Sequence, residues 1–192
     1  MNKIKYLIFT IKAALFYISN CWKFKHLAFK ANIIKPLRLN GAKYMSIGTG
    51  ATIQSYSWLI AWKIDNYDPE LSIGPGCAIG DFNHIAAVRK VIIGNNVLTA
   101  NRVYISDNLH SFEDITKPVM HQPIKFKSEV IIGDGAWLGE NVCIIGAKVG
   151  KNSVIGANSV VTRDIPDFCV AVGSPAKVIK RYNASTKVWD NV

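Results

Sequence analysis

No carboxylate precedes Asp65 in this chain of 192 residues, although ten basic side chains lie between Lys3 and Lys63. Residues 65–192 hold 13 basic and 13 acidic residues, so the net charge of +10 is a property of the N-terminal third alone. That distribution argues against nucleic-acid binding, because the basic residues flank an apolar stretch and accompany no recognisable binding module. Close cysteine spacing is also missing. Cys21, Cys77, Cys143 and Cys169 form no C-x-x-C pair, which excludes a zinc knuckle and a disulfide-stapled mini-domain and fits a reducing, cytoplasmic setting. Long apolar runs are absent too. The stretch from Tyr6 to Ile18 is interrupted by Lys12 and falls short of the roughly 20 residues that a bilayer span needs.

What the N-terminus does contain is an apolar segment expected to be helical, flanked by Lys3, Lys5, Lys23, Lys25 and Lys30, with Trp22 and Phe24 near its end. This composition suits the headgroup zone of an anionic inner leaflet, and it equally suits a helix packed on the protein or on a neighbouring subunit. Lys12 and the lack of a small-x-small site argue against a signal peptide. Hydrophobic residues make up 49% of the chain, enough for a core and too many for wholesale disorder.

A period of six dominates from residue 130. It runs Ile132-Gly133-Asp134-Gly135-Ala136-Trp137, then Leu138-Gly139-Glu140-Asn141-Val142-Cys143, and resumes at Val149 and Ile155. Ile47-Gly48, Ile73-Gly74 and Ile93-Gly94 open the same phrase earlier. Helices repeat near 3.6 and half-buried strands at 2, and a glycine every sixth residue would cost a helix about 1 kcal/mol each time. Short strands separated by turns can instead wind a triangular prism, three units to a coil, with aliphatic residues stacked inward and Gly or Asn at the corners.

These units, closing in Val161-Thr162-Arg163-Asp164-Ile165-Pro166 and Gly173-Ser174-Pro175-Ala176-Lys177-Val178-Ile179-Lys180, resemble the left-handed β-helix hexapeptide acyltransferases. Among these, the galactoside, maltose and polysaccharide O-acetyltransferases are the most similar. The resemblance covers roughly residues 45–182 and implies an all-β solenoid, a left-handed parallel β-helix. Three parts are expected: an N-terminal segment over 1–40, a β-helix domain over 41–170 with a loop inserted at about 106–129, and a C-terminal extension over 171–192. Three prisms are expected to pack as a homotrimer with active sites between subunits.

Between Ile105 and Val130 the period lapses into Ser106-Asp107-Asn108-Leu109-His110-Ser111-Phe112-Glu113-Asp114, then Pro118 to Ile124. An insertion at a corner is a natural place for function. The stretch resembles the family's D-x-x-H loop, which makes His110 the expected catalytic base; an isolated loop histidine is ordinarily just solvated. A sugar hydroxyl attacks a thioester poorly until a base takes its proton, and an imidazole with a pKa near 6.5 is suited to that. Asp107, Glu113 and Asp114 are candidates to orient the ring. Asp81, Asn83 and His84 are expected near the acceptor, although Asx residues are also ordinary corner residues. Trp137 is either a pocket wall or an outer covering. The resemblance further implies acetyl-CoA as the acyl donor, with Gly139, Ala157, Thr162 and Arg163 lining its groove and Lys177 and Lys180 facing its phosphates.

No metal is expected. A γ-class carbonic anhydrase shares the fold but pairs histidines closely, whereas here the nearest two are His110 and His121. Free sugars or xenobiotics as acceptors, and a non-catalytic scaffold, are the rival readings. A carbohydrate acceptor held at the membrane, such as a polysaccharide or glycolipid precursor, fits the basic apolar N-terminus best.

Overall fold

A computed structural model describes residues 3–192. The side chains of Met1 to Tyr6, including Lys3 and Lys5 of the basic flank, lie outside the described residues, as does that of Phe9.

Three sheets of short strands, joined by parallel pairing through the prism, make its faces. One coil visits each face in turn. The coil at Lys90–Ile93, Leu98–Thr99 and Tyr104–Ser106 pairs with Glu70–Ile73, Ala78–Ile79 and His84–Ala87 on one side. On the other side it pairs with Val130–Ile132, Trp137–Leu138 and Cys143–Ile145. Coils spaced by one strand separation, about 4.8 Å, satisfy each other's backbone groups.

The six-residue period becomes three inward columns. Leu27, Ile47, Ile73, Ile93 and Ile132 stack in register on the first face. Ile33, Ile53, Ile79, Thr99, Leu138, Ile155 and Ala171 stack on the second. Leu59, Ile85, Ile105, Ile144 and Val161 stack on the third. All of these are buried and belong to one core. The single hydroxyl among them, on Thr99, accepts the Gly80 N–H at 3.1 Å and so is not stranded in the aliphatic column. Asn96, Asn141, Asn152 and Asn158 hold corners at positive φ, as the sequence pattern suggests, but Tyr56, Phe82, Arg102 and Phe168 do so as well.

The first part of the chain differs from the sequence expectation of a helical segment running to residue 40. Helix α1 spans Lys3–Asn20, and residues 26–40 already form a coil. His26–Leu27, Asn32–Ile33 and Arg38–Asn40 pair with Ser46–Ile47, Thr52–Ile53 and Trp58–Ile60. This coil escapes the repeat pattern because its corners lack the Ile-Gly phrase, while its inward Leu27 and Ile33 still fill the core. At the other end, Cys169–Gly173 continues the second face, and Ala176–Asn183 with Val188–Asn191 adds an antiparallel hairpin to it.

Helix α1 packs Phe16 and Tyr17 against the core cluster and buries Ala13. The edge of the Tyr17 ring meets Phe29 of the first coil, centroids 5.4 Å apart. Its opposite face carries Leu7, Ile11, Leu15 and Ile18, all exposed, and exposed Trp22 follows. A helix lying on a domain ordinarily presents polar residues outward; here both faces are apolar. Among the described residues no helix is long and apolar enough to cross a membrane. All four cysteines are free thiols.

Candidate active site

The loop that breaks the period leaves the prism from the third face at Ser106 and returns to the first at Val130. Asn108–His110 pairs antiparallel with Ile124–Phe126, which sets His110 opposite Ile124. The base of this hairpin is tied down chiefly by Asp107, which is fully buried. Its carboxylate accepts the backbone N–H groups of Val88 at 2.9 Å, Arg89 at 2.7 Å and Lys90 at 2.7 Å. Its carbonyl accepts the Lys127 N–H at 2.8 Å, where the loop comes back. Lys127 then reaches the next coil, donating from Nζ to the Ile145 carbonyl at 2.7 Å. The Lys127 stem passes so close to Gly146, at φ 53°, that a Cβ there would stand 2.8 Å from Lys127 Cδ. Gly146, which has no Cβ, therefore makes room for the loop's return.

None of the three candidate carboxylates orients His110. Asp107 is consumed by backbone amides. Glu113 pairs with Lys125 and accepts the Phe112 N–H at 3.0 Å. Asp114 binds Thr116 and Lys117, which hold its carboxyl below the usual carboxylate range, the Thr116 hydroxyl contributing most. Gln122 is buried and stitches the loop's far end to itself, donating to the Asp114 carbonyl at 2.9 Å and the Lys117 carbonyl at 3.0 Å.

His110 is exposed and shares a cavity of about 190 Å³ with Trp62, His84, Tyr104, Asn108 and Ile124. His84 opens the strand His84–Ala87 on the third face and points outward. Its ring is clamped between Trp58, stacked at 4.4 Å and 4°, and Tyr104 at 5.1 Å. The clamp buries Nε2 without a hydrogen-bond partner, the only such buried side-chain atom among the described residues. Burial pushes the His84 pKa below its ordinary value, which keeps the ring neutral. The cavity thus holds two imidazoles of different kind, one open to solvent and one dry with an unused nitrogen.

The other expected acceptor residues are not brought to this cavity. Asn83 is buried and serves the fold: its amide donates to the carbonyls of Gly80 at 2.7 Å and Ala100 at 3.1 Å, and its oxygen accepts the Val103 N–H at 2.9 Å. Both polar atoms of the Asn83 side chain are thus engaged by the backbone within the core. Asp81 lies at the same corner, where its N–H donates to the Asn101 side chain at 2.8 Å. Trp137 stands on the second face, in register with Leu98 and Val154, and within one chain it does not line the histidine cavity.

The residues expected around the acyl donor are dispersed over three surfaces. Gly139 and Ala157 stack at one corner, so closely that a Cβ on Gly139 would stand 2.7 Å from Ala157 N. Thr162 and Arg163 are exposed at the corner from which, two coils earlier, the His110 loop departs. Lys177 and Lys180 are exposed on the C-terminal hairpin, opposite Val172 and Val170 of the second face. Among the described residues no group of three or more His, Cys, Asp and Glu side chains could hold a metal.

Sequence reasoning passed over Trp62, Tyr104 and Arg89. Trp62 directly follows the strand Trp58–Ala61, just where the period is interrupted before Glu70, and that interruption was the available signal. Arg89 braces both insertions: it pairs with Asp65 at 2.8 Å and lies over Tyr67 at 4.3 Å and Phe126 at 4.8 Å.

A prism of stacked hexapeptide coils with a histidine cavity under a corner insertion defines the hexapeptide acyltransferase class. A family profile described as a hexapeptide repeat of succinyl-transferase matches residues 129–163. The chain is 40% identical over 159 residues to the Escherichia coli K12 protein named "Putative lipopolysaccharide biosynthesis O-acetyl transferase WbbJ", covering 79% of this chain and 76% of that one. It is 32% identical to the galactoside O-acetyltransferase of the same organism, over 85% and 79% of the two chains. The fold matches that of AntD, an N-acyltransferase from Bacillus cereus solved with dTDP and coenzyme A, at a TM-score of 0.67 and 17% identity over 90% and 89% of the chains. This protein belongs to the hexapeptide-repeat acyltransferase family, on the O-acetyltransferase side of it, and is an enzyme of that class.

Proposed function

We propose that the protein transfers acetyl from acetyl-CoA to a sugar hydroxyl of a surface polysaccharide or glycolipid precursor, with His110 as general base. The observation that carries this reading is the shared cavity of His110 and His84 under the inserted hairpin. The relatives' names, a lipopolysaccharide O-acetyltransferase and a galactoside O-acetyltransferase, support the acceptor class.

In this mechanism a neutral His110 nitrogen takes the hydroxyl proton as the sugar oxygen attacks the thioester carbonyl. The tetrahedral oxyanion then collapses, the carbon–sulfur bond breaks, and the imidazolium returns its proton to the departing thiolate of CoA. General-base assistance of this kind contributes about 10²–10⁴-fold. A backbone N–H of a neighbouring coil stabilises the oxyanion. His84 accepts a hydrogen bond from the acceptor at its unused Nε2, which removes the cost of leaving that nitrogen dry and unpaired.

On this reading the prism winds left-handed and three copies pack side by side. The donor lies between copies along Gly139, Ala157, Thr162 and Arg163, with its phosphates at Lys177 and Lys180, and Trp137 of a neighbour approaches the acceptor. The dispersal of these residues over separate surfaces of one chain supports a site completed by a second copy. The outer apolar face of helix α1, with Lys12, Lys23, Lys25 and Lys30 around it, rests on an anionic leaflet and brings the enzyme to a lipid-linked acceptor.

CoA release measured against a panel of glycans, free sugars and antibiotics tests the reading. Turnover with polysaccharide or glycolipid acceptors, lost in His110→Ala, is the expected result. Turnover confined to antibiotics overturns the acceptor, and a His110→Ala rate equal to wild type overturns the base and favours a scaffold.

A further inference from the structure

Beside the histidine cavity lies a larger groove of about 640 Å³, lined by Arg38, Asn40, Lys43, Tyr44, Trp58 and Lys63. The two spaces share Ile60 and Trp62, so they meet along one edge. The smaller space, about 190 Å³, falls below the roughly 300–1,000 Å³ of a pocket that encloses a drug-sized ligand, and suits a single sugar ring.

The two tryptophans at the junction differ. Trp58 has its ring faces occupied, by His84 at 4.4 Å and by the Arg38 guanidinium at 5.0 Å, and its Nε1 donates to Asn40 at 3.1 Å. Trp62 is 55% exposed and takes part in no ring stacking or cation–π contact among the described residues. The backbone behind it is nevertheless held. Lys63 Nζ donates to Asp68 at 2.7 Å, and Arg89 ties Asp65 to the His110 hairpin. An indole face left open on a braced loop is a platform for the apolar face of a sugar ring.

Charge adds a second preference. Arg38 and Lys43 take part in no ion pair among the described residues, whereas Lys63 is matched by Asp68. Two cations that line the groove without an ion-pair partner favour an anionic group there.

We infer that this groove is an extended acceptor subsite: Trp62 stacks the sugar next to the one being acetylated, and Arg38 and Lys43 bind an anionic group on the adjoining unit. The inference rests on sugar acetylation at His110 and narrows the acceptor to a chain bearing a carboxylate, as in a uronic acid, or a phosphodiester.

Calorimetric titration of the full chain distinguishes these sources. The probes are a hexasaccharide alternating uronic acid with neutral sugar, its carboxyl-reduced twin, and a phosphodiester-linked glycan of equal length. At low salt one or both charged chains are expected to bind about 10-fold more tightly than the reduced twin. Arg38→Gln with Lys43→Gln removes that preference, and Trp62→Ala weakens all three ligands. Because Arg38 also touches Trp58, Lys43→Gln alone serves as the second variant and reduces the preference without disturbing the ring stack. Equal affinity for charged and reduced chains in the wild type overturns the inference, as does a preference that survives the double variant. Turnover of simple sugars alongside equal affinity leaves the His110 reading intact and sinks the subsite. A charge-dependent affinity without any sugar turnover does the reverse.

Discussion

His84 and His110 line the same cavity, one fixed on the prism face and the other carried by the inserted hairpin. The two rings stand in different environments. His110 is exposed to solvent, whereas His84 is clamped between two aromatic rings and its pKa is pushed down by burial.

Replacing His110 by Ala is expected to lower the rate of acetyl transfer by about 10²–10⁴-fold. Stability is expected to move by less than about 0.5 kcal/mol, because the side chain is exposed and makes no hydrogen bond or ion pair among the described residues. Single-turnover kinetics with acetyl-CoA and urea unfolding, run on the same preparation, check both halves.

His84 predicts an acid-side loss of stability. Its folded pKa lies below the ordinary 6.5, so the unfolded chain takes up the proton first as pH falls. Stability is therefore fully present above about 6.5 and declines as pH drops from there toward the folded value. His84→Phe keeps a ring in the stack and lacks the titration. The urea midpoint of the wild type is expected to fall relative to this variant between pH 7 and 5, and parallel midpoints across that range would sink the argument.

Asp107 is expected to be a stability residue as much as an activity residue. Asp107→Ala strands the N–H groups of Val88, Arg89 and Lys90 and frees the hairpin base, at a cost of about 2–4 kcal/mol. Asp107→Asn fares little better, because its NH₂ group meets backbone donors. Chemical denaturation measures the loss, and backbone amide exchange of residues 88–90 locates it.

The two apolar faces of helix α1 can be separated by mutation. Ile11→Ser, Leu15→Ser and Ile18→Ser combined alter only the outer face and leave Ala13, Phe16 and Tyr17 in place. Sedimentation with anionic vesicles is expected to drop at least about 10-fold, with thermal unfolding little changed. Undiminished sedimentation would show that the outer face is not the membrane contact.

How much of this was legible in advance follows from where each signal lies. The coils from Met45 onward announce themselves through Ile-Gly phrases and corner asparagines, because each unit satisfies the same local demands on turn and burial. The first coil, residues 26–40, lacks the phrase and falls within the expected N-terminal segment; its strands form because the second coil offers unpaired backbone edges. The inserted hairpin that carries His110 was legible through the broken period around it. That Asn83 and Asp107 hold the backbone is not legible from residue type, since a buried amide or carboxylate stands wherever backbone groups converge.

The sequence by itself determined the prism, the place of its insertion and the one-sided charge, all of which are properties of neighbours along the chain. Which side chains meet was decided by stacking. Trp58, His84 and Tyr104 occupy one outward column only because successive coils align them. Trp62 reaches the same cavity as His110 because two insertions leave the same corner and are braced there by Arg89. Such contacts depend on the register between coils, which backbone hydrogen bonds set once the chain has wound and which no six-residue window contains.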